Sequence, residues 1–278
     1  MVAERLGGEI ISVDSMQVYR GMDIGTAKPT VLERRGIPHH LIDVADPEEE
    51  FSVAEFRRLG RQALLESNTP VMVVTGGSGL HFRALVDPLR FAPTDPQLRA
   101  ELDQRETGTL VTDLLEVDPE AGTQVDVGNR RRVIRAVEIY ELTGETPSIR
   151  AASALAEEVR RYVPEVEFLA AGVDPGGLLE ERIERRLHQM REGGLTEEVR
   201  RLATRMGRTA GNAVGYREIA ASLRGEMSID EAFALTAVNS KKLARRQRTW
   251  FQRDPRIRWI PWVDDAAERA KRVLEVFD

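Results

Sequence analysis

The chain has 278 residues, 40 basic and 46 acidic, a net charge of −6 and no cysteine. That length allows one large core plus a smaller domain, and the missing cysteines exclude disulfides and thiolate metal sites and suit the cytoplasm. No apolar run is long enough to cross a bilayer, residues 1–6 lack a signal-peptide core, and the acidic balance argues against a surface that is basic throughout while leaving a local basic patch open.

Glu9 to Val13 is short, apolar and β-branched, which predicts a buried strand entered from the Gly7-Gly8 turn. Asp14 and Ser15 then fall just past its C-terminal end, where open α/β sheets bind ligands. Val71 to Thr75 predicts a second strand. Gly76-Gly77-Ser78-Gly79 follows it and a helical pattern starts at Leu80, which is the strand, turn and helix of a parallel sheet. From Pro93 to Pro164 the pattern is helical, with starts at Asp95-Pro96 and Asp118-Pro119. Phe168 to Val173 predicts a third strand and Arg258 to Val263 a last one, with helices at 175–193, 195–206, 215–225 and 229–252 between them. On the first of these helices Leu179, Ile183, Leu187 and Met190 predict a core face. The expected fold class is therefore α/β: a discontinuous core of residues 1–92 and 165–278, and a helical insertion of residues 93–164.

Several residues suit chemistry, and each also has a structural reading. Asp14 is either a general base at a strand end or a turn-forming, helix-capping aspartate. Gly77 and Ser78 either offer N–H groups and a hydroxyl to an anion or make an ordinary tight turn. Arg130, Arg131, Arg132 and Arg135 form a helical basic cluster, in a chain where 36 of 40 basic residues are arginine and only Lys28, Lys241, Lys242 and Lys271 are lysine. Residues 241–258 carry eight basic side chains against one acidic, Asp254, a local net charge of +7 opposite in sign to the whole chain. Such a track suggests a nucleic-acid footprint. Trp250 within it reads as core rather than as a stacking platform. His39 and His40 have no cysteine and no third histidine nearby, so a structural role is expected for both, and His188 reads as a helix-face residue.

The motifs Asp14-Ser15-Met16-Gln17-Val18-Tyr19-Arg20-Gly21, Asp23-Ile24-Gly25-Thr26-Ala27-Lys28-Pro29, Pro38-His39-His40-Leu41-Ile42-Asp43, Gly76-Gly77-Ser78-Gly79-Leu80, Arg132 to Glu138, Val214-Gly215-Tyr216-Arg217 and Arg246-Gln247-Arg248-Thr249-Trp250-Phe251 occur in an order that closely resembles the tRNA dimethylallyltransferase (tRNA isopentenyltransferase) family. The resemblance covers nearly the whole chain. It implies a P-loop-NTPase-like parallel sheet with flanking helices. It also implies transfer of a dimethylallyl group from dimethylallyl pyrophosphate to the exocyclic amine of the tRNA adenine on the 3′ side of the anticodon, with Mg2+ bridging the phosphates. The implied roles are catalytic for Asp14, Ser78 and Arg217, and pyrophosphate binding for Gly77, Ser78 and Arg217. Contact with tRNA is implied for Asp14, Ser15, Met16, Gln17, Ser78, Arg99, Arg131, Arg132, Arg135, Tyr216, Arg246 and Gln247. No metal ligand is assigned. A monomer acting in the cytoplasm, away from membranes, is expected.

The chain departs from the family pattern in places. Ser78 stands where the family usually has Thr, keeping the hydroxyl. His81 stands where it usually has an aromatic, which puts a packing role for that ring in doubt. The strand and G-x-x-x-x-G-K-[ST] loop that normally precede the first motif have no counterpart, since no lysine follows a glycine. The shortfall is roughly two to three dozen residues. That pattern implies weak or absent transferase activity and lowered stability for the chain as given. Two alternatives remain at this point: prenyl transfer to a free adenine nucleotide, and a tRNA-binding remnant without catalysis.

Overall fold

A computed structural model describes residues 1–277. The chain divides into two compact units, Met1–Val86 with Glu167–Asp278, and Asp87–Val166.

The first unit is α/β, and its strands are parallel. Strand β1 (Glu9–Val13) is central, with Ile11 and Val13 buried. It pairs on one side with β2 (His39–His40) and on the other with β3 (Met72–Gly76). Strands β4 (Ala170–Asp174) and β5 (Ile257–Pro261) form a separate parallel pair. The expected strands are all present, shifted by no more than two residues apart from β1, which matches. Two features differ from expectation. The strands form two sheets rather than one, so β3 is an edge and its last residues, Thr75 and Gly76, are exposed. Strand β2 is too short to carry a periodic signal. It is held to β1 by backbone pairing, with Ile10 N–H donating to the Pro38 carbonyl at 3.0 Å, and by His40 Nε2, 2.7 Å from Glu9; His39 Nδ1 lies 2.8 Å from the Ile37 carbonyl of its own segment.

Helices of eight residues or more are labelled in chain order. Helix α1 (Val53–Glu66) starts where Ser52 accepts from the Glu55 N–H, and it buries Phe56, Gly60 and Ala63, one stripe at helical spacing. Helix α2 (Gly79–Val86) follows β3 and buries Ala84, Leu85 and Val86. The second unit holds α3 (Pro96–Gln104), α4 (Thr107–Val117) and α5 (Arg130–Thr143) around Leu102, Leu110, Leu114, Val133, Ile134 and Val137. The expected start at Asp95 is present, capping α3 ahead of Pro96, whereas Asp118, expected to start a helix, instead caps the C-terminal end of α4. Asn129 caps α5, and Gly144 closes it with a φ of 71°.

The first unit continues with α6 (Leu179–Glu192), α7 (Leu195–Leu202), α8 (Tyr216–Leu223), α9 (Ile229–Gln252) and α10 (Ala266–Glu275). The predicted core face of α6 is only half sunk. Leu187 and Met190 pack on the core, but no residue of that helix is fully buried. The main core gathers Tyr19, Met22, Phe56, Leu85, Leu195, Tyr216 and Ile219. No helix among the described residues is long and apolar enough to cross a membrane.

Candidate active site

A cleft opens at the C-terminal ends of β1 and β3. Asp14, Ser15 and Met16 line it from β1, Gly77 to Leu80 from the turn before α2, Gly25 and Thr26 from the loop after β1, Tyr216 from α8, and Arg186 from α6. One face of α9 completes it with Leu243, Arg246, Gln247 and Trp250, spaced three to four residues apart.

Asp14 fulfils its structural reading and lies at the cleft. Its Oδ1 accepts the N–H groups of Met16 at 2.8 Å and Gln17 at 3.2 Å, which turns the chain away from β1. That turn fixes the carboxylate at the cleft wall. Gln17 is a buttress: its Oε1 accepts from the Ser12 hydroxyl at 2.8 Å and its Nε2 donates to the Thr26 carbonyl at 3.2 Å, and it does not line the cleft.

The loop after β1 is held by two buried charges that sequence reasoning missed. Glu198 on α7 is 1% exposed. It accepts the N–H groups of Asp23 at 3.0 Å, Ile24 at 2.8 Å and Gly25 at 3.1 Å, and the Tyr216 hydroxyl at 2.6 Å. Burial and then the Glu198 charge push the Tyr216 phenol far up, so it stays protonated and donates. Gly25 is required here, because a Cβ would lie 2.4 Å from the Tyr216 ring. Lys28 is equally buried, its ammonium 2.7 Å from Asp23, 2.6 Å from Asp43 and 2.7 Å from the Tyr19 carbonyl. The one available signal was that three of the four lysines lie in the last 38 residues, leaving Lys28 alone among acids.

The glycine-rich turn is shaped by protein as well as by any ligand. A Cβ at Gly79 would lie 2.0 Å from the Trp250 ring, so glycine is what lets α9 close on the turn. Trp250 is 42% exposed and lines the cleft, which corrects the core reading. Ser78 Oγ lies 2.7 Å from His81 Nδ1, and the His81 ring packs edge-to-face on Phe56 with centroids 4.6 Å apart. The doubt about packing at position 81 is therefore removed. Burial pushes the His81 pKa down to about 4, against the pull of the Asp14 charge, so the ring is neutral.

Arg186 was also missed. Solvent reaches it, yet the protein around its guanidinium lowers its pKa, and the Asp14 charge opposes that shift. The basic track is weaker than its summed charge. Lys241 pairs with Glu180 and Glu184, Arg245 with Glu180, Arg248 with Asp174 and Arg256 with Asp254. Arg246 makes no ion pair among the described residues and faces the cleft. Arg217 does not line the cleft. Its guanidinium is held by Glu218, a buried carboxylate that also accepts from Gly215 N–H at 2.8 Å and Asn239 at 2.8 Å.

In the helical unit the predicted arginines divide. Arg99 and Arg135 both bind Glu138, which is 0% exposed. Arg135 also donates to the Pro93 carbonyl at 2.8 Å and the Ala92 carbonyl at 2.7 Å. Burial raises the Glu138 carboxyl, but hydrogen bonds from Arg135 and Arg99 outweigh it and hold it below the usual range. Arg131 and Arg132 are exposed, and the nearest carboxylate to Arg132 is Asp126 at 4.0 Å.

Fold and cleft define an α/β protein with a strand-end carboxylate and open guanidinium groups on one cleft. The sequence matches the profile of the IPP transferase family over residues 17–254. It is 46% identical to the tRNA dimethylallyltransferase of Streptomyces avermitilis over 93% of this chain and 84% of that protein. It is 45% identical to that of Streptomyces coelicolor over 100% and 90%. The solved tRNA isopentenylpyrophosphate transferase of Bacillus halodurans superposes with a TM-score of 0.70 at 36% identity, covering 99% of this chain and 89% of that one. The chain belongs to the IPP transferase family.

Proposed function

We propose that this chain transfers a dimethylallyl group from dimethylallyl pyrophosphate to the exocyclic amine of the tRNA adenine 3′-adjacent to the anticodon. The observation that carries this reading is the Asp14 carboxylate, fixed at the end of β1 and facing the same cleft as two guanidinium groups. An adenine amine is a very weak acid that sheds a proton only as its nitrogen bonds to the allylic carbon, and a carboxylate within reach can then accept it. The pyrophosphate leaving group gathers negative charge, which Arg186 and Arg246 would stabilise. The adenine must leave its stack to enter such a cleft, and loop bases do so at least cost. Exposed Arg131 and Arg132 would meet tRNA phosphate.

No cluster of three or more His, Cys, Asp or Glu side chains able to hold a metal exists among the described residues. Among the described residues the one carboxylate lining the cleft is Asp14, so a magnesium ion there would be held mainly by the pyrophosphate oxygens and would neutralise their charge. A monomer acting in the cytoplasm is part of this reading.

The test is a single-turnover assay with labelled dimethylallyl pyrophosphate and unmodified tRNA, with adenosine monophosphate in a parallel reaction. Label should enter tRNA and not the nucleotide. Asp14→Asn should lower the rate by about 10²- to 10⁴-fold while tRNA binding persists. An undiminished rate in Asp14→Asn would exclude Asp14 as the base.

A further inference from the structure

We propose that His81 is a positioning residue: its Nδ1 accepts the Ser78 hydroxyl proton, so that the Ser78 oxygen presents lone pairs, not a proton, to the cleft.

The contact is 2.7 Å long. An imidazole nitrogen is a stronger base than an alcohol oxygen, so the hydroxyl is the donor in this contact. A neutral imidazole has one acceptor and one donor nitrogen, and the loss of basicity on burial keeps this ring neutral. With Nδ1 as acceptor, Nε2 carries the proton. The ring cannot swing to another partner cheaply, because its edge-to-face contact with the fully buried Phe56 fixes its plane. Ser78 is equally fixed. Its N–H donates to the Val13 carbonyl at 3.2 Å and its carbonyl accepts from Phe82 N–H at 2.9 Å, which ties the turn to β1 and to α2.

A serine hydroxyl has one proton. Once that proton is committed to His81, Ser78 cannot donate to a phosphate oxygen, and its role in the cleft becomes that of an acceptor. Asp14 and Ser78 then form a pair of acceptors on one wall, which suits a substrate that brings N–H bonds, while the anionic leaving group is left to Arg186, Arg246 and backbone N–H groups. This assignment rests on the prenyl-transfer reading only for the identity of that substrate. The hydroxyl–imidazole geometry stands without it.

The first measurement is ¹⁵N NMR of the ring nitrogens in the labelled full chain. Only four histidines contribute, and His81→Phe identifies the His81 signals by their loss. A neutral ring with a bare Nδ1 and a protonated Nε2 is expected. A protonated Nδ1 would overturn the proposal, whatever the activity. The second measurement compares prenyl-transfer rates of the wild-type chain, His81→Phe, Ser78→Ala and the double variant. Phenylalanine keeps an aromatic ring against Phe56 and removes both ring nitrogens. His81→Phe should slow the chemical step by about tenfold, with the KM for dimethylallyl pyrophosphate unchanged, and should have no further effect in the Ser78→Ala background. Equal effects of His81→Phe in both backgrounds, or a wild-type rate in His81→Phe at unchanged thermal stability, would also overturn it. A wild-type chain without prenyl transfer would refute the functional reading, and the NMR result would still decide the role of His81.

Discussion

Glu198→Ala gives the clearest test of how the cleft is built. The wild-type carboxylate is 1% exposed and accepts four hydrogen bonds, three of them from consecutive backbone N–H groups of the loop after β1. Alanine leaves three N–H groups and the Tyr216 hydroxyl without partners in a buried site. Each unsatisfied group costs about 1–3 kcal/mol, and water entering the vacated space recovers part of that. A net loss of about 3–5 kcal/mol follows, in the range for breaking a buried charged network. For a domain near 200 residues that lowers Tm by about 6–20 °C. The activity loss should exceed what unfolding explains, since Gly25, Thr26 and Tyr216 all line the cleft. Denaturant unfolding and single-turnover kinetics at a temperature where the variant is folded would measure both. Glu197→Ala is the control: its carboxylate is exposed and its one ion pair, with Arg200, is on the surface. A Glu198→Ala chain within about 1 kcal/mol of wild type with an unchanged rate would refute the view that Glu198 organises the loop.

Three further outcomes are expected. Replacing Arg131 and Arg132 with alanine should weaken tRNA binding and reduce the slope of log affinity against log salt by about one to two, without changing Tm, whereas Arg135→Ala should lower Tm because its guanidinium anchors Glu138 and two loop carbonyls. Glu138 has a lowered pKa in the folded chain, so its contribution is present above its unfolded value of 4.5 and is lost as pH falls through the lower folded value. Glu138→Gln should therefore reduce stability at neutral pH and flatten the acid limb of a Tm-against-pH curve, and an unchanged acid limb would count against this account. Gly79→Ala places a methyl 2.0 Å from the Trp250 ring, and a destabilisation of about 1–3 kcal/mol with altered tryptophan fluorescence is expected.

What the sequence discloses depends on how local the cause is. Strand β1 is legible because five residues carry its apolar, β-branched pattern, and Asp14 is legible because it falls at that strand's end. The helix start at Asp95 is legible because a cap is a contact between residues two or three apart. Strand β2 is not, since two residues hold no period and its pairing depends on β1, some thirty positions away. Glu198 reads locally as one acid in the first turn of a helix. Its partners lie more than 170 residues earlier for the loop and 18 later for Tyr216. Trp250 misleads in the other direction. A tryptophan on an amphipathic helix is usually buried, but here it stands over Gly79, which leaves it room, and keeps an open side toward the cleft.

The basic track shows why charge along a sequence is a poor guide to charge in space. Summed over residues 241–258 it is +7, yet Glu180 and Glu184 on α6 and Asp174 at the end of β4 meet Lys241, Arg245 and Arg248 across the fold. A pair at 2.8–3.1 Å still leaves dipolar fields, but its long-range pull on a phosphate backbone falls within a Debye length of about 8–10 Å. The cations that remain uncompensated by ion pairs are the ones that can act on an anion, and of these Arg246 faces the cleft. Arg186 joins it from α6, outside the track altogether. Two guanidinium groups, one in a motif and one found only in three dimensions, thus face the cleft, where the sequence showed a track of eight basic residues. Removing Arg246 should raise the KM for dimethylallyl pyrophosphate, and removing the ion-paired Arg248 should not.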